Sequence, residues 1–336
     1  MKKLFLVALS SILLTACAPE ENEYPVQGEN FMLNTFCSIT IYNEENKEKN
    51  ATEIISDTFY LCSDYEKMIS RTIEGSDIYK INHSNGQPVE VSNETIELLE
   101  VAQHFSELSD GALDITTEPL ITLWDIQAEN PVVPSDAEIQ ALLPEVDYTK
   151  VDIDGNTVTL LDPVEKIDLG AVAKGFIADK LADYLRENQV TSALISLGGN
   201  LYAVGQNDLQ NRPFNLAVQN PRSDAGDSIG YISGTDISLV TSGDYQRYFM
   251  ADGVRYHHII DPETGYPTNN ELASVTILSE SSAEGDALST ACFVLGTEKG
   301  LELINSLDGI EAIFIEKDLT VHLSDGFGED LEFNYL

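Results

Sequence analysis

Apolar residues recur along the chain with two different periods, and the places where one gives way to the other mark out its elements. From Phe36 to Tyr42 they alternate around β-branched residues, which predicts a strand, whereas from Ala51 to Ile69 they return at helical spacing. A second amphipathic helix is expected over 94–108, with Ser92-Asn93 as its cap. The run Gly111-Ala112-Leu113-Asp114 then reads as a turn. Residues 125–145 hold three prolines and little periodicity, so they predict a surface excursion with one short helix.

Beyond Val151 short alternating runs dominate. Strands are expected at 151–153, 157–161 and 166–169, then at 192–197 after a helix over 172–187. Further strands are expected at 215–218, 229–232, 237–241, 246–250 and 274–278. Two helices, 283–295 and 298–306, precede a closing hairpin at 312–323. Helices and strands mix without strict βαβ alternation, so the class is α+β, with mostly antiparallel sheets packed against helices.

The amino end changes this picture. Lys2 and Lys3 lead an apolar run from Leu4 to Leu14, followed by Leu14-Thr15-Ala16-Cys17, the pattern at which bacterial lipoproteins are cleaved and lipidated. The run is too short to span a bilayer. Residues 1–16 are therefore expected to be a signal peptide, and 17–30 a lipidated Cys17 with a flexible, polar, proline-containing tether. A single globular domain is expected over 31–336, perched on the extracytoplasmic side of the cell membrane. The chain carries 57 acidic against 18 basic residues, a net charge of −39, which argues against nucleic acid as a partner and leaves membrane attachment to the lipid. Cys37, Cys62 and Cys292 match no zinc spacing and are odd in number, so buried free thiols are expected.

Candidate chemistry concentrates between Ser242 and Thr290. The stretch holds Ser242-Gly243-Asp244-Tyr245, the pair His257-His258 ahead of Asp261-Pro262, and Asp286-Ala287-Leu288-Ser289-Thr290. On a helix, Asp286 and Thr290 stand four apart and offer a carboxylate and a hydroxyl from one face, a combination that suits Mg²⁺. A Ser/Thr/Asp-rich helix start serves more often as a cap, and a histidine pair in a strand is more often packing than acid/base machinery. Upstream, Asp168-Leu169-Gly170-Ala171-Val172-Ala173-Lys174-Gly175 joins an extended run to a helix, where exposed N–H groups accept anions and Lys174 adds a point charge. The Gly198-Gly199 pair allows close approach of backbone to a ligand or makes a plain turn. Neither a G-x-G-x-x-G nor a P-loop pattern occurs.

In their order and wording these segments resemble the bacterial flavin transferases of the ApbE family, the FAD:protein FMN transferases. The resemblance rests on 111–119, 168–175, 197–200, 242–248, 258–267 and 286–290, together with the lipoprotein start. It implies a T-fold-like α+β domain that binds FAD as substrate and Mg²⁺ as cofactor. Such enzymes split the FAD pyrophosphate, release AMP and attach FMN to a threonine or serine of an acceptor protein, for relatives a subunit of a membrane redox complex. Carried over, Asp286, Thr290 and the Ala171 carbonyl are the implied Mg²⁺ ligands. Leu33, Ala112, Leu113, Asp114, Asp168, Lys174 and Ile260 are implied FAD contacts, and His258 and Lys174 the implied catalytic groups. The chain departs from the family at two points. Leu33-Asn34-Thr35 stands where Met-Gly-Thr is usual, and Thr72 stands where many transferases place a tyrosine that could stack on the flavin. The second departure leaves open a Mg²⁺-dependent FAD pyrophosphatase, in which water replaces the protein hydroxyl; a non-catalytic flavin-binding lipoprotein is a separate alternative, against which the presence of Asp286, Thr290, Lys174 and His258 together argues.

Overall fold

A computed structural model describes residues 24–223, 226–328 and 331–336. The signal segment and Cys17 lie outside the described residues. In chain order, β1 (Val26–Met32) and β2 (Thr35–Glu44) precede α1 (Ala51–Ile69), α2 (Asp77–Asn82), β3 (Val89–Glu90), α3 (Asn93–Leu108), α4 (Glu118–Trp124) and α5 (Asp136–Leu142). Then come β4 (Val151–Asp154), β5 (Thr157–Leu160), α6 (Ala173–Glu187), β6 (Val190–Leu197) and β7 (Asn200–Val204). The last part holds β8 (Phe214–Gln219), β9 (Ser228–Gly234), β10 (Ile237–Gly243), β11 (Tyr248–Ala251), β12 (Val254–His257), β13 (Leu272–Ser279), α7 (Ser282–Asn305), β14 (Glu311–Glu316), β15 (Val321–Leu323) and β16 (Asn334–Tyr335).

An eight-stranded sheet in the order β1-β2-β6-β7-β10-β13-β14-β15 forms the centre, and every neighbouring pair is antiparallel. One face is covered by helices: α6 packs on β6 and β7, and α7 on β10 and β13. Alternation decides which residues face them, so Cys37, Ile39 and Ile41 of β2 join this core while Phe36 and Ser38 point away. The opposite face receives the small sheet β16-β9-β8, whose Phe214, Leu216 and Val218 meet Leu239, Leu278, Ile313 and Ile315. Toward the β1 edge this second face is bare among the described residues, and Glu29, Phe31 and Phe36 are exposed.

The α+β class holds, and so do α1, which spans the expected residues, and α3, which Ser92 caps through the Thr95 N–H. Cys37, Cys62 and Cys292 are free and buried. The two expected late helices are the halves of α7, which is interrupted at Gly296 (φ 80°, ψ 178°). Three expectations change. Residues 26–30, expected within a tether, belong to the fold instead, because β1 begins at Val26 and pairs with β2 along its length. The strand expected at 166–169 is an extended segment outside any sheet. Its backbone bonds to the Asn82 side chain at Ile167 (2.8 and 2.9 Å) and to the Ile115 carbonyl from the Asp168 N–H (2.8 Å), so no ladder forms. The excursion at 125–145 does carry one short helix, yet Ile139 is fully buried. With Leu120, Trp124 and Ile260 it builds a satellite core against the hairpin β11–β12, where Trp124 stacks on Tyr256.

Candidate active site

Two helices lock each other at the centre of the site. Gly175 sits in the first turn of α6, and a side chain there could not be accommodated: a Cβ would stand 2.0 Å from the Ser282 carbonyl and 2.8 Å from the Asp286 Cβ. The bare backbone lets α6 and α7 cross in contact. Asp286 Oδ2 then accepts the Gly175 N–H at 2.9 Å, one of the first-turn donors that a helix cannot satisfy internally. In return Asp179 of α6 accepts the N–H groups of Ser282 and Ala283 (2.7 and 2.9 Å) and the Ser281 hydroxyl (2.9 Å) at the start of α7. Burial pushes the Asp179 carboxyl up to about 6 despite those bonds.

The same crossing assembles polar groups. Lys174 Nζ lies 3.1 Å from Asp286 Oδ1 and 3.4 Å from Oδ2. One turn further along α7 come Ser289 and Thr290, and Ser242, near the end of β10, reaches them with Oγ distances of 2.8 and 3.4 Å. Ala171 lies on the turn that leads into α6, which starts where the N–H groups of Val172 and Ala173 bond to the Leu169 carbonyl. Among the described residues no group of three or more His, Cys, Asp and Glu side chains is arranged to hold a metal ion. One carboxylate, one hydroxyl and one carbonyl are instead the sparse oxygen set that Mg²⁺ accepts when substrate phosphates complete its shell.

The histidine pair divides into two roles. His257 ends β12, and its Nε2 donates to the Thr268 carbonyl (2.7 Å) while Nδ1 accepts the Ile259 N–H (3.3 Å), which fixes a neutral tautomer. Its ring meets Phe293 edge-on. The next residue turns to the cavity. His258 is half-buried, with Nδ1 enclosed and free of any partner among the described residues. Burial foremost, then the charges of Arg247 and Lys174 and the neighbouring His257, press its pKa from 6.5 to about 3. Its base is held by its N–H to the Arg247 carbonyl at 3.1 Å.

The rest of the lining comes from turns. Both oxygens of Asp114 are engaged: within its own loop Oδ1 accepts the Thr116 N–H and hydroxyl (2.7 and 2.6 Å), and Oδ2 accepts the N–H of the distant Tyr148 (3.1 Å). Burial raises its pKa. Asp168 is occupied in the same way, by the Gly170 N–H (2.7 Å) and by Arg71 Nε (2.7 Å), whose guanidinium also binds Glu118 at 2.8 Å. These two carboxylates therefore shape the loops that face a ligand. Leu33 and Asn34 form the two-residue turn between β1 and β2 with φ of 53° and 56°, as a tight hairpin of this kind demands. Leucine is costly in that region, and Leu33 is held there by its N–H to Glu66 Oε1 at 2.9 Å. The departure at Leu33-Asn34 is thus a backbone matter rather than only an altered apolar contact. Thr72 is exposed at the rim, with its N–H on Ser70 Oγ at 3.2 Å.

One cavity of about 930 Å³ gathers most of these groups. It takes in Lys174, Ala171, Asp286 and Thr290, then His258 and Ile260, and also Leu33, Thr72, Ala112, Leu113, Asp114 and Asp168. The volume is at the upper end of the ~300–1,000 Å³ usual for small-molecule sites and suits a dinucleotide. Tyr245 of the Ser242–Tyr245 run also lines it, and so does Arg247, which was given no role in the sequence reading. Burial lowers the Arg247 pKa and pushes the Tyr245 phenol up to about 12. The signal for Arg247 was its place beside the Ser242–Tyr245 run in a chain so poor in cations. Asp244 of that run does not face the cavity; it is clamped by Arg222 (2.7 and 2.9 Å) and Arg255 (3.2 Å).

Comparison with known proteins shows one family at the level of both sequence and fold. The sequence profile of the ApbE family matches residues 33–314. An FAD:protein FMN transferase of Klebsiella pneumoniae (strain 342) is 40% identical over 274 residues, 81% of this chain and 84% of the relative. One of Treponema pallidum (strain Nichols) is 35% identical over 313 residues, 88% and 85% of the two chains. Among solved structures, the flavin transferase ApbE from Vibrio cholerae superimposes with a TM-score of 0.81 at 30% identity, covering 90% of this chain and 98% of its own. The ApbE protein from Thermotoga maritima MSB8 does so with 0.82 at 33%, covering 90% and 97%.

Proposed function

The chain belongs to the ApbE family, and on that premise we propose how its cavity works as an FAD:protein FMN transferase. The enzyme takes FAD as substrate and transfers FMN to a hydroxyl of an acceptor protein. The oxygen of a threonine or serine attacks the FMN-side phosphorus, the bond to the AMP phosphate breaks, AMP leaves, and a phosphodiester holds the flavin. The observation that carries this reading is the meeting of Lys174, Arg247 and His258 with the Asp286–Thr290 oxygens in one cavity. Phosphoryl transfer asks chiefly for positioning and for charges opposite the phosphates, and this lining supplies both.

His258 is assigned the proton of the acceptor hydroxyl. Its low pKa keeps it neutral before FAD arrives, and a pyrophosphate beside it, being opposite in charge to imidazolium, raises its basicity. Lys174 stands ready as a counter-charge beside Asp286. Asp286, Thr290 and the Ala171 carbonyl are the residues we assign to Mg²⁺, which when bound supplies neutralisation of charge developing on the pyrophosphate oxygens. Asp286 also caps α6, so the carboxylate is positioned before any cation binds.

FAD hydrolysis to FMN and AMP is a second reading, favoured by one observation: Thr72 places a small hydroxyl rather than a ring at the exposed rim. The experiment incubates the purified protein with FAD and Mg²⁺, with and without a threonine-bearing acceptor protein. Flavin bonded to the acceptor with stoichiometric AMP supports transfer, and free FMN in both arms supports hydrolysis. Chelation should stop both. We further assign Cys17 to lipid attachment, which would hold the domain at the extracytoplasmic face of the membrane, near an acceptor in a membrane redox complex. Fatty-acid labelling that persists in Cys17→Ser would exclude it.

A further inference from the structure

The bare end of the second sheet face carries an unusual pair. Phe31 and Phe36 stand directly opposite each other across β1 and β2, 5.4 Å apart and edge-to-face, and are 60% and 79% exposed. Large aromatic side chains so open to water are costly unless something covers them. Both rings line the mouth of the active-site cavity. Phe36 also lines a second, smaller cavity of about 250 Å³, together with Glu29, Ser38 and Ser196. The register explains this: Glu29 pairs with Ser38, and Ser38 with Ser196, so these side chains share the face that β8 and β9 leave uncovered. A shallow path thus runs from the bare sheet face, past the aromatic pair, into the chamber that holds His258.

We propose that this path is the docking site for an extended segment of the acceptor protein, with the Phe31–Phe36 pair gripping an apolar side chain at a fixed offset from the modified threonine or serine. The proposal rests on the transferase reading above. Transfer requires a protein hydroxyl to enter the cavity, so the acceptor chain must cross the mouth, and the uncovered face continues directly from it. Ser38, Ser196 and Glu29 offer hydrogen-bonding groups for a peptide backbone, while the two rings offer apolar area at low entropic cost. Among the described residues β1 is also the outer strand of the sheet, which leaves one edge available to an added strand. The chain's charge of −39 disfavours strongly acidic segments at this surface.

The test uses the full protein, FAD, Mg²⁺ and a library of short synthetic peptides, each with one central threonine and randomised flanks. Flavin-bearing peptides are recovered by fluorescence and sequenced. The wild type should enrich an apolar residue at one position relative to the threonine. Phe31→Ser and Phe36→Ser, both at exposed sites where each loses only its cross-strand ring contact, should erase that enrichment and lower peptide modification about tenfold, with an unfolding midpoint measured for each to show that the fold is kept. FAD affinity and AMP release into water should change less than about twofold. An absent apolar preference in the wild type, a preference kept by both variants, or a lost FAD affinity would each overturn the proposal, the last by assigning the rings to the flavin. If the wild type releases AMP yet modifies no peptide, the transferase reading itself fails, and this inference with it.

Discussion

Two parts of the cavity lining are built in different ways. Around Lys174 and Asp286 the wall is a crossing of α6 and α7, each helix capped by a carboxylate of the other and brought together by the missing side chain of Gly175. Around Leu33, Thr72 and Asp114 it is a set of turns held by side chains: Asn34 reaches Gln127 at 3.2 Å and receives Arg247 at 3.3 Å, and Arg71 joins Asp168 to Glu118. Bond cleavage needs groups held within a fraction of an ångström, which regular elements with buried contacts provide. Recognition of a ring or a partner tolerates exchange of turn residues, and both departures noted in the sequence, at Leu33-Asn34 and at Thr72, fall in turns. The difference predicts that substitutions in the crossing act on rate and stability, and those in the turns on how products are partitioned.

The largest effect is expected at the crossing. Asp286→Ala should lower AMP release from FAD by ~10²–10³-fold, because it removes the carboxylate assigned to the cation and strands Lys174. AMP release within about threefold of wild type, measured by chromatography, would break the assignment. Gly175→Ala tests the crossing as architecture. The added methyl cannot fit beside Ser282, so the helices must separate, at a cost of ~3 kcal/mol. An unchanged unfolding midpoint in a denaturant titration would show that α6 and α7 do not depend on this contact.

The histidines sharpen the comparison. His258→Gln should slow transfer by ~10²-fold and leave stability intact, whereas His257→Gln should weaken the fold by ~1–2 kcal/mol through its buried bonds. The pH dependence follows from the sign of the shift. Because the His258 pKa is pressed down to about 3, the ring stays unprotonated as the medium is acidified through 6.5, and kcat/KM for FAD should not fall there. The acid limb of kcat should lie at higher pH than that of kcat/KM, since bound pyrophosphate favours the imidazolium. Coincident limbs near 6.5 would remove His258 from the role. The smallest effect is expected in the turns: Thr72→Tyr should shift products from free FMN toward acceptor-bound flavin by a factor of several, as a stacked ring worth ~1 kcal/mol permits. Equal product ratios in the two proteins would show that the rim does not govern the access of water.

Much of this was legible in one dimension. Period-two and period-3.6 patterns located α1, α3, α6, α7 and most long strands, because one buried face imposes its spacing on the residues that fill it. Short elements such as α2 and α4 were not legible, since one or two turns hold too few residues to show a period. The extended run at 166–169 looked like a strand because its local pattern is one; only the arrival of Asn82 and Ile115 decided that its hydrogen bonds would lie outside a sheet. The ordered motifs brought the site residues to notice, and the family with them. That His257 turns inward to the Thr268 carbonyl, that Asp114 and Asp168 are held by Tyr148 and Arg71, and that Arg247 joins Lys174 near His258 were decided by tertiary packing alone. Those facts depend on segments distant in sequence, and a hydrogen bond or a burial between them leaves no periodic trace in the chain that makes it.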